Sequence, residues 1–168
     1  MRTLLHVGCG NNPLAPWLKG FEEVRLDVSN DFKPDIIADM RKLPDNIGPF
    51  DMIYGSHVLE HVYPHEVVPT LKGFHRVLRP DGVVIMHVPN LEGVSATEDV
   101  VFISPSGPIT GLDMLYGHHD MIAYSPHHAH HCGFVKGTLR RVLEEAGFSN
   151  INVLDELVKH ELIGTGTK

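Results

Sequence analysis

Five short apolar runs in the N-terminal part of the chain have the length and composition of buried β-strands. Runs without strict alternation of polar and apolar positions are typical of strands covered on both faces. Little chain separates the second run from the third, so we expect the crossover helix between them to be shortened or missing. The runs cover residues 4–7, 23–27, 35–38, 50–55 and 83–88.

Two segments show the periodicity of an amphipathic helix. In the first, apolar side chains recur at intervals of three and four residues, which places them on one helix face. Pro69 fits best if this helix begins just before it, and Arg79 stands near its end. The second helix covers residues 135–146, and Gly147 is a suitable residue to end it. The apolar stripe of the first helix consists of Val67, Leu71, Phe74 and Leu78.

The two ends of the pattern add three shorter elements. Asn12 followed by Pro13 is typical of a helix start, so we expect a short helix after the first strand. Residues 151–154 and 157–163 predict two final strands. The short connection between them favours an antiparallel hairpin at the C-terminal end.

Strands that alternate with helices predict an α/β fold, with a Rossmann-like, doubly wound and mostly parallel sheet. The apolar runs give seven strands in all, the last two forming the hairpin. We expect one domain over residues 1–168 with an irregular, His-rich insertion at about 91–132. A connection of this length is usually functional or disordered.

Composition limits the classes of protein to which the chain can belong. Its 168 residues, 42% hydrophobic and 21% charged, fit one globular domain and exclude a mainly disordered, coiled-coil or membrane-spanning chain. The formal net charge of −7 repels a polyanion, so we expect no nucleic-acid partner. Cys9 and Cys132 predict no disulfide framework. The N-terminal apolar run is too short for a signal peptide or a membrane helix, so we expect a cytoplasmic protein.

A glycine turn and two acids lie where consecutive strands end. Gly8-Cys9-Gly10 follows the first strand, where glycines let the backbone turn sharply and approach a ligand closely. Asp27 ends the second strand and could accept hydrogen bonds from a ribose diol, while Asp39 follows the third. Pro13 occupies the third glycine position of a dinucleotide motif, which argues for a nucleoside without a diphosphate. The alternative is a tight turn with two solvated acids.

Several segments, in this order and spacing, resemble the class I S-adenosylmethionine-dependent methyltransferases. The resemblance covers the chain from Leu4 to about Asn90 and resumes over residues 133–148. It rests on Leu4-Leu5-His6-Val7-Gly8-Cys9-Gly10, Arg25-Leu26-Asp27, Ala38-Asp39-Met40, Phe50-Asp51-Met52-Ile53-Tyr54-Gly55-Ser56-His57-Val58-Leu59-Glu60-His61 and Arg76-Val77-Leu78-Arg79-Pro80-Asp81-Gly82.

The resemblance implies a fold, a cofactor and its binding residues. The family has seven strands in the order 3-2-1-4-5-7-6, and S-adenosyl-L-methionine is its cofactor. His6 departs from the family pattern, which often has an acid there, and Asn12 replaces a frequent third glycine. The first departure weakens a contact to the amino acid part of the cofactor. The residues implied in cofactor binding are Gly8, Cys9, Gly10, Asp27, Asp39, Met40, Ser56 and His57.

Six of the 13 histidines lie in the insertion and are candidates for chemistry. His131, beside the point where the sheet pattern resumes, is our candidate for a catalytic base. The donors show no paired metal-ligand spacing, so we predict no metal site. His57 either contacts the cofactor or caps a helix, and we expect Glu60 and His61 to face solvent or to cap the same segment.

We therefore expect methyl transfer to an undefined small-molecule or carbohydrate acceptor. No helix precedes the first strand to cover the substrate, so the cover would come from residues 91–132 or from another subunit of a homo-oligomer. One alternative is a protein that binds S-adenosylmethionine without catalysis. The other is a metal-dependent hydrolase that uses the His cluster.

Overall fold

The structure is a computed structural model and describes residues 1–104, 107–156 and 160–168. Seven of its strands form one sheet in the order β3-β2-β1-β4-β5-β9-β8, and a separate hairpin joins β6 to β7. The strands are β1 (Arg2–Val7), β2 (Phe21–Asp27), β3 (Ile36–Ile37), β4 (Phe50–Ser56), β5 (Leu78–Pro89), β6 (Val100–Ser104), β7 (Gly107–Thr110), β8 (Ser149–Glu156) and β9 (Glu161–Thr167).

The sheet has the predicted topology. Strands β1 to β5 pair in parallel, whereas β9 is antiparallel to both β5 and β8. With the β6–β7 hairpin set aside, the seven strands follow the order 3-2-1-4-5-7-6. The Rossmann-like fold class is therefore confirmed.

The larger core lies between the sheet and the two longest helices. The helices are α1 (Pro64–Val77), α2 (Gly111–Tyr116), α3 (His119–Tyr124) and α4 (Lys136–Glu145). Leu71 and Phe74 of α1 and Leu139 of α4 are fully buried in this core. Successive β1 side chains point to opposite faces, so Leu5 joins this core while Leu4 joins a smaller one. The 3₁₀ turn Pro16–Leu18 covers that smaller core with Leu18.

Helix α1 begins earlier than the sequence pattern predicts. Its first residue is Pro64, whose fixed backbone angle suits the start of a helix. Pro69 lies inside the helix on its exposed side, where its ring displaces only the N–H that would bond to the His65 carbonyl. The predicted start beside Pro69 was wrong, but the apolar stripe is buried as predicted.

Two short connections replace helices in the first half of the fold. After β1 the chain forms only the 3₁₀ turn Pro16–Leu18, with Ala15 rather than Asn12 at its N-cap. The predicted helix at Pro13 is therefore wrong. Between β2 and β3 lies only the 3₁₀ turn Asn30–Phe32, so the shortened crossover is confirmed.

The final hairpin is present, but β8 is longer than predicted and β9 lies further along the chain. Asp155 and Glu156 belong to β8 and do not form the connection. Of the predicted strand 157–163, residues 157–159 lie outside the described residues, and β9 runs on to Thr167.

The insertion is more regular than predicted, because its backbone groups find partners of their own. Strands β6 and β7 pair antiparallel, and Thr110 caps α2 in a reciprocal arrangement with Asp113. The chain returns to the sheet where the Leu91 N–H donates to the Phe134 carbonyl at 2.9 Å. Within the described ranges, no helix is both long and apolar enough to cross a membrane.

Candidate functional site

A cavity of about 1030 Å³ opens at the carboxyl ends of β1, β2 and β4. One part of its wall carries the glycine turn, Asp27 and Asp39, and another part is formed by residues of the insertion between His118 and His131. Ligands of open α/β sheets bind at this edge. The structure therefore brings the predicted nucleoside-binding residues and the histidine-rich segment to one cavity.

The glycine turn has a backbone that other residues would strain. Gly8 and Gly10 both have positive φ, at 60° and 48°. A Cβ on Gly8 would overlap the Val58 side chain, whereas a Cβ on Gly10 would meet nothing within 4 Å. Both glycines line the cavity. Cys9 does not: its side chain is fully buried and its N–H donates to the Leu26 carbonyl, which argues against the predicted cofactor contact.

Asp27 braces the glycine turn from the end of β2. Its Oδ2 accepts the Gly10 N–H and its Oδ1 accepts the Ser29 N–H, both at 2.9 Å. The residue is only 7% exposed, so it is part of the packed structure. Carboxylate oxygens hold two lone pairs each, which leaves acceptor capacity towards the cavity. The alternative of a solvated acid at this position is therefore wrong.

Asp39 and Met40 line the same wall. The Asp39 carboxylate caps the 3₁₀ turn Met40–Lys42 by accepting the Arg41 N–H at 2.9 Å. The Arg41 guanidinium lies 2.6 Å from Asp39 Oδ2 and 3.0 Å from Glu66 Oε2. Its hydrogen bonds lower the pKa of Asp39 below the usual range, so Asp39 is ionised at neutral pH.

His57 follows Ser56 at the end of β4, and both line the cavity. The His57 ring lies between two carboxylates, with Nε2 3.1 Å from Glu161 Oε2 and Nδ1 3.6 Å from Glu60 Oε1. Partial burial opposes its charged form, but the contacts with Glu161 and Glu60 prevail and raise the pKa of His57 to about 10. His57 therefore carries a positive charge at neutral pH.

Glu60 is buried, which contradicts the expectation that it faces solvent. Its side chain is 1% exposed, because the insertion returns onto it. The backbone N–H groups of His131 and Cys132 donate to the Glu60 carbonyl at 2.8 and 3.1 Å. Although burial favours the neutral acid, the neighbouring His57 holds the pKa of Glu60 below its usual range. Glu60 is therefore a buried anion at the cavity.

Two histidines face Glu60 with fixed tautomers. The His61 Nδ1 donates to the Ala129 carbonyl at 3.0 Å, and the His130 Nδ1 donates to the Met114 carbonyl at 3.0 Å. Burial lowers the pKa of His130, so this ring is neutral at pH 7. His61, which the sequence predicts to face solvent or to cap the segment after β4, is half-buried and lines the cavity, as His130 does.

His131, the base predicted from the sequence, lies at the exposed rim of the cavity. Its ring stacks on Tyr63 with centroids 4.2 Å apart and planes 17° apart. His128 also lines the cavity, and burial lowers the pKa of its ring. The insertion thus supplies several imidazoles to one wall.

His6 lies away from the cavity wall. The residue is 3% exposed, and its Nδ1 is 2.7 Å from Glu23 Oε1. Its ring also contacts that of Tyr54, with centroids 5.3 Å apart. The family's acid at this position is therefore replaced by a buried ring that has a carboxylate partner.

The sequence pattern missed the contacts that join distant segments. Glu161 pairs with His57, and its Oε1 lies 3.4 Å from His87 Nδ1. Glu60 and His61 meet the insertion only through the tertiary fold. One sequence feature points to these residues: acids and histidines are clustered directly after β4.

Comparison with known proteins assigns the family. The methyltransferase domain family matches residues 2–153. No curated protein matches this chain significantly. The chain belongs to the methyltransferase domain family.

Solved structures share the fold over nearly the whole chain. An S-adenosylmethionine-dependent methyltransferase from Mesorhizobium loti has a TM-score of 0.68 at 20% identity, covering 99% of this chain and 90% of its own. One from Archaeoglobus fulgidus has a TM-score of 0.64 at 18% identity, covering 99% and 86%. The Burkholderia thailandensis 1,6-didemethyltoxoflavin-N1-methyltransferase, solved with that compound and S-adenosylhomocysteine, has a TM-score of 0.61 at 17% identity, covering 99% and 72%. The resemblance to S-adenosylmethionine-dependent methyltransferases is confirmed.

Proposed function

We propose that this chain transfers a methyl group from S-adenosylmethionine to a small-molecule acceptor. The main support is one cavity that is lined both by the braced glycine turn and by a histidine-rich segment. When bound, S-adenosylmethionine supplies a methyl group that its sulfonium has already activated. The chain must position the acceptor against this methyl group, exclude water from the site and supply a group that takes the acceptor's proton.

The cofactor wall fits a nucleoside. Gly10 offers open backbone, and Asp27 keeps acceptor capacity for a ribose diol. Asp39 and Met40 would hold the adenine. The lack of a third turn glycine, with Pro13 in its place, leaves no cradle for a diphosphate.

The end of β4 would hold the methionine part. Ser56 and His57 both line the cavity there. The His57 imidazolium provides a positive charge that can attract a carboxylate. We propose no side-chain contact for Cys9, because it points into the core.

The insertion would cover the acceptor. We retain His131 as the proposed base, since it lines the cavity and is far from the nucleoside-binding strands in the sequence. The Burkholderia thailandensis neighbour was solved with bound 1,6-didemethyltoxoflavin, which supports a small-molecule acceptor. A carbohydrate remains a second acceptor class to test.

Titration calorimetry tests the cofactor directly. We expect S-adenosylhomocysteine to bind with one site per chain and NAD not to bind. Binding of NAD in preference to S-adenosylhomocysteine would overturn the proposal. Transfer of label from S-adenosylmethionine to small molecules of a cell extract then separates an enzyme from a binding protein, since the latter gives no labelled product.

A further inference from the structure

A buried carboxylate and two imidazoles meet at the acceptor side of the cavity. Glu60, His61 and His130 each offer one ligand atom, and these three atoms lie within 4.8 Å of one another. Two histidines and a carboxylate are the protein ligands of many catalytic zinc sites. The donor set and its spacing therefore suit a divalent transition metal.

The Glu60 carboxylate lacks a hydrogen-bond partner among the described residues. Among the described residues, neither of its buried carboxylate oxygens accepts a hydrogen bond. His57 reaches only Oε1, at 3.6 Å, which is too long for a hydrogen bond. A buried carboxyl group left without hydrogen bonds costs free energy, and a bound cation would remove that cost.

Both histidines are oriented as metal ligands usually are. Each donates its Nδ1 hydrogen to a backbone carbonyl, His61 to Ala129 and His130 to Met114, both at 3.0 Å. A neutral imidazole carries only one N–H. Because that hydrogen is on Nδ1, the Nε2 atom has a free lone pair that can bind a metal ion. Such outer hydrogen bonds fix the tautomer and the ring orientation in known metal sites.

A second cluster has a structural explanation instead. Asp113, His118 and His119 also lie close together, but Asp113 caps α2 by accepting from Thr110 at 2.7 and 3.0 Å. The side chain of His119 is 78% exposed. The Cys132 thiol belongs to neither cluster and donates to the Leu59 carbonyl at 3.6 Å.

We propose that Glu60, His61 and His130 form a binding site for one divalent transition metal ion, facing the acceptor part of the cavity. Three protein ligands leave at least one coordination position open for an oxygen or nitrogen of the acceptor. A bound cation would lower the pKa of a coordinated hydroxyl, so that the proposed base, His131, removes its proton more readily. This role rests on the proposed function; the metal site itself does not. The proposal replaces our prediction from the sequence that no metal binds.

The spacing along the chain explains why the sequence does not reveal this site. Glu60 and His61 are adjacent, so their side chains lack the interval of a familiar ligand pair. The third ligand comes from the insertion, which the fold returns to the end of β4.

Metal titration of the full chain, stripped by chelator, tests the site. We expect one Zn²⁺ per chain, and Co²⁺ to give visible absorption bands of four- or five-coordination that Zn²⁺ removes. Glu60→Gln and His130→Gln should each weaken Zn²⁺ binding at least tenfold. His127→Gln is the matched control, an exposed histidine of the same segment outside the cluster, and should bind Zn²⁺ as the wild type does.

Results with the wild type or with the variants could overturn the proposal. For the wild type, the result is the absence of saturable Zn²⁺ binding and of Co²⁺ bands, which needs no variant. For the variants, it is equal binding by Glu60→Gln and the wild type, or equal loss in His127→Gln and Glu60→Gln. Titration with S-adenosylhomocysteine in the absence of metal reports separately on folding and on the proposed function.

Discussion

The Asp27 carboxylate accepts the backbone N–H of Gly10 at 2.9 Å, so the acid that ends β2 holds the turn that follows β1. Its second oxygen holds Ser29 in the same way, at 2.9 Å. One side chain therefore connects the two loops that line the nucleoside part of the cavity. The residue proposed to bind ribose also sets the shape of its own site.

Replacing Asp27 should therefore affect both binding and stability. Asp27→Ala removes two backbone hydrogen bonds and two proposed ribose contacts. We expect S-adenosylhomocysteine binding to weaken by roughly 2–4 kcal/mol, about thirty- to a thousandfold. We also expect the free energy of unfolding to fall by about 1–3 kcal/mol, because both turns lose their brace. Calorimetry and urea denaturation measure the two effects.

Two further substitutions, each of an aspartate, help to interpret the result for Asp27→Ala. Asp27→Asn keeps one carbonyl oxygen as acceptor and should fall between the wild type and Asp27→Ala. Asp45→Ala removes one negative charge from an exposed position outside the cavity and should change neither quantity. If Asp27→Ala binds S-adenosylhomocysteine within a factor of about three of wild type, the nucleoside site is placed wrongly.

Gly8 and Gly10 offer a matched pair, since both have positive φ but different surroundings. In Gly8→Ala the new methyl group overlaps Val58, so backbone strain and overpacking add up to a loss of about 2–5 kcal/mol in the free energy of unfolding. In Gly10→Ala only the strain remains, about 1–2 kcal/mol, since nothing lies within 4 Å. Thermal and urea unfolding compare the two. Equal losses would show that Val58 gives way to the added methyl group.

The sheet could be predicted from the sequence because its signals are local. Apolar runs and glycine turns mark β1, β2 and β4 within a few residues each, and the order of the motifs fixed the topology through the family resemblance. The sequence places the start of α1 too late because proline is normally unfavourable inside a helix. A proline on an exposed face removes only one backbone hydrogen bond, and burial of the apolar stripe compensates for it.

The acceptor side of the site could not be predicted, because it depends on contacts between distant segments. Glu60 becomes buried only when His131 and Cys132 donate to its carbonyl. No periodicity in the sequence of the insertion predicts that it folds back onto Glu60. The nucleoside side was accessible because its residues follow strand ends, and parallel strands place those ends at one edge.

His131 should affect transfer without affecting cofactor binding. Once an acceptor is found, we expect His131→Ala to lower kcat by about 10²–10⁴ if the ring takes the acceptor proton. Binding of S-adenosylhomocysteine should stay within about threefold of wild type, since the ring belongs to the insertion and not to the proposed nucleoside-binding residues. His65→Ala removes an exposed ring outside the cavity and serves as control. Loss of S-adenosylhomocysteine binding together with transfer in His131→Ala would point to a structural role.

Buried His6 should make the protein less stable in mild acid. Burial lowers the pKa of this ring below 6.5, although Glu23 and Asp27 oppose the shift and Arg25 adds to it. A base with a lowered pKa in the folded state takes up its proton more readily when unfolded. The stability is therefore complete above pH ~6.5 and declines as pH falls from there through the lowered pKa. Urea denaturation at several pH values in this window should show a smaller decline for His6→Gln than for wild type or for the exposed control His65→Gln. Equal declines in all three proteins would contradict the prediction.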